Sequence, residues 1–351
     1  MSRFLSPGRQ SLTAYTPGEQ PGEKLIKLNT NESPYPPSPE AVRALSAGAL
    51  ERCRLYSDIP ARDLCQATAQ YYGVSPENVL YGNGSDEILA FAFQAFGQGG
   101  VSFPDVTYGF YPVWAQLYAL PMKVIPVKED FTIDPGEYRG GGLIVIANPN
   151  APTGISLPLE AIQELAAANP DTVVLIDEAY VDFGGESAVA LVPRYENLLV
   201  TQTFSKSRSL AGARLGFAIA QPSLIQDLNR IKYAYNPYNV GTPAQLMGAA
   251  AMRDRAYFEA TRRAVMDTRE RVRAELLALG FTIPPSAANF LFARPPGISG
   301  EAMQKALRER GILVRRFDAP RIRDFLRISI GAPEEMEMLT NAIKAIVEER
   351  A

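Results

Sequence analysis

Histidine does not occur anywhere in this chain of 351 residues. Its absence excludes Ser-His-Asp and Cys-His nucleophile systems, His-ligated zinc and any imidazole base. Any chemistry must therefore run on Lys, Asp, Glu, Tyr or a cofactor. Cysteine is nearly as scarce: Cys53 and Cys65 match no metal spacing and read as free thiols of a reducing cytosol. No apolar run approaches the roughly 20 residues of a membrane span, and "MSRFLSPGRQ" holds no signal-peptide core, so a cytoplasmic protein without membrane contact is expected. A net charge of -3 offers no basic face to nucleic acid. No Gly-Lys pair occurs, which removes the phosphate loop that "TVVLIDEA" would need to be the magnesium strand of an ATPase.

What is present is an ordinary globular composition, 46% hydrophobic and 21% charged, in a chain long enough for about two domains. The first segment, through "KLNTNESPYPPSPE", is rich in Pro, Gly and Asn, and residues 1–28 of it read as an extended N-terminal arm. "SPEAVRALSAGALERC" then has the spacing of a helix. From Val79 onward "NVLYGNG", "GGVSFPD", "MKVIPV", "GGLIVIANP", "TVVLIDEA", "NLLVTQTF" and "RLGFAIA" alternate with helical stretches such as "LPLEAIQELAAAN". Several of these runs are apolar on both faces, as central parallel strands must be. The expectation is an α/β fold with a large domain over 29–243, a mostly parallel central sheet covered by helices on both faces. From about Gly241 a long charged helix, the short strands "FLFARP", "ILVRRF" and "FLRISIG" and a last amphipathic helix predict a smaller α+β C-terminal domain over 244–351.

In such sheets ligands bind beyond the carboxyl ends of the strands. "VLYGNGSDEIL" runs strand, Gly-rich turn, helix, so Gly84, Ser85 and Asp86 stand at a helix N-terminus suited to phosphate. "LIVIANPNAPTG" carries Asn148 and Asn150, with Ala151–Pro152 a candidate cis bond. "TVVLIDEAYVDF" ends a buried strand in Asp177, which needs a cationic partner, and sets Tyr180 three residues on. "TQTFSKSRSLAGARLGF" brings Lys206 to a strand end beside Thr203 and Ser205, with Arg214 following. Burial and cationic neighbours make such a lysine nucleophilic. Arg327, in "FLRISIG", is suited to clamp a carboxylate. An amine, a carboxylate and a phosphate cup meet the aldehyde, ring nitrogen and phosphate of pyridoxal 5'-phosphate.

These segments, with "KLNTNESPYPPSPE" before them, resemble the fold-type I pyridoxal-phosphate aminotransferases in order and spacing along nearly the whole chain, and most closely the histidinol-phosphate aminotransferases. The resemblance implies that Lys206 is the Schiff-base and proton-shuttling lysine, Asp177 the pyridinium partner and Tyr180 the hydroxyl at the phenolic oxygen. It puts Ser85, Asp86, Thr203, Ser205 and Arg214 in the phosphate cup and stacks Tyr108 on the ring. Arg327 grips the substrate carboxylate, Tyr15 covers the substrate, and Tyr56 reaches the partner subunit's phosphate in a homodimer with shared sites. Ala151 stands where the family often has a second Asn, so Asn150 or Asn148 takes that part toward the phenolic oxygen, and Asn150 toward substrate. "RLYSD" and "NPYNVGTPAQL" also depart from the family. The implied reaction joins histidine biosynthesis, passing an amino group from histidinol phosphate to 2-oxoglutarate. An aromatic amino-acid aminotransferase and a threonine-phosphate decarboxylase-like lyase share the fold. Arg315, Arg316 and Arg321 are candidates for a substrate phosphate.

Overall fold

The computed structural model describes residues 3–20 and 25–349. Its strands are β1 (Ile26–Leu28), β2 (Val79–Asn83), β3 (Val101–Pro104), β4 (Met122–Ile125), β5 (Leu143–Ala147), β6 (Val173–Asp177), β7 (Leu198–Thr203), β8 (Leu215–Ala220), β9 (Phe290–Ala293), β10 (Ile312–Arg316) and β11 (Leu326–Ser329). The helices begin with α1 (Pro39–Arg43), α2 (Ala47–Glu51), α3 (Arg62–Tyr72), α4 (Ser85–Phe96), α5 (Tyr111–Leu117) and α6 (Leu159–Ala168). They continue with α7 (Pro222–Tyr235), α8 (Thr242–Arg253), α9 (Arg255–Ala278), α10 (Gly300–Glu309) and α11 (Pro333–Glu348).

The apolar runs become a seven-stranded sheet ordered β2-β8-β7-β6-β5-β3-β4, in which β8 alone runs against its neighbours. Alternation along each strand splits its side chains between two cores. Ile144, Ile146, Val174, Ile176 and Val200 pack on one face, and Leu143, Val145, Leu175 and Leu199 on the other. This is the mostly parallel, doubly covered sheet expected from the sequence. A second sheet, β1-β10-β11-β9, packs with α9, α10 and α11 around its own core of Leu291, Leu326, Ile328, Leu339 and Ile343.

Three local features differ from the sequence expectations. Residues 26–28, expected within the arm, form β1 and pair in parallel with β10, Ile26 opposite Ile312. The segment expected as one helix breaks into α1 and α2 because the Ser46 side chain accepts from the Ala49 N–H and starts a new helix. The long charged helix begins only at Arg255, where the Asp254 carboxylate caps the Tyr257 N–H and ends the run of α8. The cis bond expected at Ala151–Pro152 is present, and Asn148–Pro149 is cis as well.

The topology puts the carboxyl ends of β2, β5, β6 and β7 on one edge of the large sheet, so Asn83, Ala147, Asp177 and Thr203 end side by side. The N-terminus of α4 is pressed onto β8 at Gly216, where a Cβ would lie 2.3 Å from the Ser85 nitrogen. Backbone there cannot yield as a side chain would. Gly216→Ala should therefore cost about 1–3 kcal/mol by overpacking and displace α4. Thermal melts should show a lower Tm together with weaker cofactor retention; a variant equal to the parent in both would mean that this contact does not set the helix.

Candidate active site

Beyond that edge lies a cavity of about 640 Å³, walled by strand ends of the large sheet, by Arg315 and Arg327 of the second sheet, and by residues 15–20 of the N-terminal segment. Of the residues singled out from sequence, it brings together Tyr15, Ser85, Asp86, Tyr108, Asp177, Tyr180, Thr203, Ser205, Lys206, Arg214 and Arg327.

Lys206 reaches the cavity because β7 stops pairing at Phe204, whose N–H donates to Leu215 O, and the chain then turns back so that Leu210 N–H donates to Phe204 O. Its Nζ donates to the Thr30 carbonyl at 3.1 Å and stands 5.8 Å from the centre of the Tyr180 ring. The side chain is partly open to the cavity yet enclosed by its walls. Burial, followed by the nearby Arg327, lowers its pKa to about 8, against the opposing pull of Glu32 and Asp86.

Asp177 closes β6 and is buried. Tyr111 donates to its Oδ2 at 2.9 Å and Thr201 to Oδ1 at 3.5 Å. Burial raises its pKa to about 6, which the Tyr111 hydroxyl partly offsets. Among the described residues no cation pairs with it, and a cation brought against it would restore the ionised form. Tyr180 is held from behind by Asn31, whose Nδ2 donates to its hydroxyl oxygen at 3.0 Å, and by edge-on packing against Phe290.

The phosphate-like corner is built by α4 and the Lys206 loop. Gly84 adopts φ +76, and a Cβ there would lie 2.6 Å from Arg214 Nη2, so only glycine lets the guanidinium close over the helix N-terminus. Arg214 Nη2 donates to Asp86 Oδ2 at 3.2 Å, and Tyr108 donates to Asp86 Oδ1 at 2.9 Å. Thr203 donates to Ser205 Oγ at 3.0 Å on the adjoining wall. Helix N–H groups, hydroxyls and a guanidinium converge there, a cradle for a phosphate.

Five residues from the sequence reading stand elsewhere. Asn150 is buried behind the wall, its amide donating to Val106 O and Thr153 Oγ1 and accepting from Thr107, while Ala151 lines the cavity in its stead. Tyr56 lies at the surface, 81% exposed, stacked on Tyr238 with ring centroids 4.2 Å apart. Asn148 is engaged with the backbone of Leu157. Of the three further arginines only Arg315 lines the cavity; Arg316 bonds Asp318 and Arg321 bonds Asp105. The sequence reading missed Tyr111, Thr30, Asn31 and Glu32. Tyr111 lies three residues after Tyr108 at a helix start, and the others belong to "LNTNES", so both segments were in view but their partners were not.

A lysine amine, a buried carboxylate lacking a cation and a phosphate cradle within one cavity fit pyridoxal phosphate, and with this sheet order they define a fold-type I pyridoxal-phosphate enzyme. The family model described as aminotransferase class I and II matches residues 23–346, and the chain belongs to that family of amino-group transferases, with pyridoxal phosphate as cofactor. Its curated relatives include histidinol-phosphate aminotransferase 1 of Bordetella parapertussis, 51% identical with 99% of each chain covered. Another is histidinol-phosphate aminotransferase of Pseudomonas putida, 50% identical over 98% of this chain and 100% of the other. Among solved structures it resembles histidinol-phosphate aminotransferase of Sinorhizobium meliloti in complex with pyridoxal 5'-phosphate, with TM-score 0.88 and 26% identity over 100% of this chain and 99% of the other.

The depressed lysine has a measurable consequence. In cofactor-free protein an amine-acylating reagent should modify Lys206 at a rate that rises through about pH 8, because only the neutral amine reacts, rather than near the ordinary lysine value of about 10.4. Peptide mass spectrometry across pH reads the midpoint, and an ordinary lysine value there would contradict the enclosed environment.

Proposed function

We propose that the chain transfers the amino group of histidinol phosphate to 2-oxoglutarate, as a cytoplasmic homodimer with shared active sites. The observation that carries the choice of substrate is the pairing of two arginines. Arg315 and Arg327 are register partners on β10 and β11, and both line the cavity. Like charges directly opposite on a sheet repel. Neither is neutralised by a carboxylate among the described residues: Arg315 donates to the carbonyls of Thr16 and Pro17, and Arg327 to that of Asn29 at 3.0 Å. Arg327 Nε is buried without a hydrogen-bond partner. Two unpaired guanidinia suit a phosphate dianion better than a single carboxylate. Histidinol phosphate carries its phosphate on the methylene that takes the place of an amino acid's carboxyl carbon, so one clamp serves the phosphate of the donor and the α-carboxylate of the acceptor.

Pyridoxal phosphate, when bound, supplies an aldehyde that condenses with amines and a ring that delocalises negative charge from the substrate Cα. The chain's own residues do the rest. Asp177 keeps a ring nitrogen cationic through a charge-assisted hydrogen bond, with Tyr111 fixing the carboxylate. Tyr180 presents its hydroxyl to the phenolic oxygen, and Tyr108 offers its ring as a stacking face. Ser85, Asp86, Thr203, Ser205 and Arg214 seat the phosphate. Lys206 Nζ, with a pKa near 8, takes the α-proton and delivers a proton back, close to the balance that general acid–base work requires. Tyr15, stacked on Phe110 with centroids 4.3 Å apart, closes the substrate side. Asn150 holds the loop that presents Ala151. Tyr56, exposed while stacked on Tyr238, is open to a partner subunit, and Cys53 and Cys65 are unpaired, as a reducing cytoplasm would keep them. The functional division is an N-terminal arm that ends before β1, a large cofactor-binding domain over 29–243 with the rest of α8, and a small domain that takes in β1 and contributes the arginine clamp.

Steady-state assays with histidinol phosphate, phenylalanine and threonine phosphate, reading glutamate formation and carbon dioxide release, test this reading. Histidinol phosphate should be the preferred donor with no carbon dioxide evolved. Phenylalanine preferred would favour the aromatic reading, and carbon dioxide from threonine phosphate the lyase. Arg315→Met and Arg327→Met should each lower kcat/KM for histidinol phosphate by about 10–100-fold, the worth of a charge-assisted contact. Phenylalanine, with one carboxylate, should be hurt less by the loss of Arg315; equal losses would remove the phosphate argument.

A further inference from the structure

Two residues beyond Lys206, a second cation is buried for which the reaction has no use. Arg208 is 6% exposed and has no carboxylate in ion-pair contact among the described residues. Taking a guanidinium out of water is costly unless it is compensated. Its compensation comes from α3, α8, α9 and its own loop, which gather round it. Nη1 donates at 2.9 Å to the carbonyl of Ala251, in the last turn of α8, where a cation complements an open helix end. The guanidinium carbon lies 4.1 Å from the ring centre of Phe258 in α9, 4.9 Å from that of Tyr71 in α3 and 5.7 Å from that of Phe204 in its own loop. The small cavity beside it, about 10 Å³, is too small for a ligand, which leaves anchoring as the use of the buried charge.

We propose that Arg208 is a positioning residue for Lys206, bolting the lysine's turn to the α8–α9 junction. The turn's other ties run elsewhere: Ser209 N–H to the Lys206 carbonyl at 3.3 Å, Leu210 N–H to Phe204 O, Ser207 to Asp182 and Ser209 to Ser33 Oγ at 2.8 Å, none of them to α8 or α9. Because α9 continues into the core of the second sheet, which carries Arg327, the bolt also registers the amine against the substrate clamp. Lysine could not replace it, because an ammonium has no plane to lie against three rings while donating to a carbonyl.

This inference rests on Lys206 being the reactive amine, and the test separates the two. The variants are Arg208→Lys and Phe258→Leu, measured for Lys206 acylation against pH in cofactor-free protein, for kcat and KM, and for Tm. In the parent, cofactor should protect Lys206 from the reagent; if it does not, the assignment of Lys206 fails and the role of Arg208 is not what was measured. Given protection in the parent, both variants should move the acylation midpoint up toward ordinary lysine. They should also lower kcat about 10–100-fold, the cost of a misplaced reacting group, with a much smaller change in KM. A lower Tm with midpoint and kcat unchanged would show a merely structural role and overturn the proposal. Should Arg208→Lys not fold, Phe258→Leu, a modest change in volume, decides alone.

Discussion

An amine and a carboxylate that are both enclosed by protein, and that do not pair with each other, are the constraint around which this fold is arranged. Left free, Lys206 and Asp177 would neutralise one another. Here the amine donates to the Thr30 carbonyl and the carboxylate accepts from Tyr111 and Thr201. Burial then drives the two in opposite directions, the lysine down to about 8 and the aspartate up to about 6, each disfavouring its own charge. Such a pair is stable only if a rigid frame keeps it apart. A parallel sheet buried on both faces is that frame, because β6 and β7 end side by side, Asp177 closing the first and the second leading directly into the turn that carries Lys206.

The same unrelieved tension recurs at the other side of the cavity. Arg315 and Arg327 face one another across β10 and β11, with no carboxylate in ion-pair contact among the described residues and their hydrogen bonds going to carbonyl oxygens. Each of these features lowers stability in exchange for affinity toward a group of opposite charge, a pyridine nitrogen in one case and an anion in the other. Binding such ligands returns stability by mass action. A cavity with a lone carboxylate at one side and lone guanidinia at the other is therefore complementary to a molecule that is itself polarised in that way.

Much of this was legible in the chain. The central strands of the large sheet announce themselves because strands covered on both faces must be apolar throughout, and β5, β6 and β7 are buried at essentially every position. Lys206, Asp177 and Arg214 stand out because each is a polar residue at or just outside the limit of such a run. What could not be read was anything set by pairing across long stretches of chain. β1 is three residues in a segment rich in turn-formers, and its partner is almost at the other end of the sequence. Arg315 and Arg316 are neighbours on one strand and so point to opposite faces; register, and not composition, sends Arg315 into the cavity. The direction of Asn150, turned into the wall by Val106, Thr107 and Thr153, likewise depends on residues distant in sequence.

The two sheets contribute unequally to the site, and this asymmetry explains where the chain places its unusual contacts. In the function proposed, the large sheet and the segments that leave it supply the groups that would meet the cofactor, and the second sheet supplies the two arginines that would meet substrate. Neither sheet shares a strand with the other. Alignment of amine and clamp must therefore pass through tertiary ties: Asn31 to Tyr180 and to Ser329, Asn289 to the Asn31 carbonyl, and Arg208 to the α8–α9 junction. Asn31, held at φ +58, joins the Thr30 carbonyl that holds Lys206 to β11, the strand of Arg327. The segment "LNTNES" thus does more than lead into the fold; it is a short strap hydrogen-bonded at Thr30 to the Lys206 amine and at Asn31 to the strand that carries Arg327.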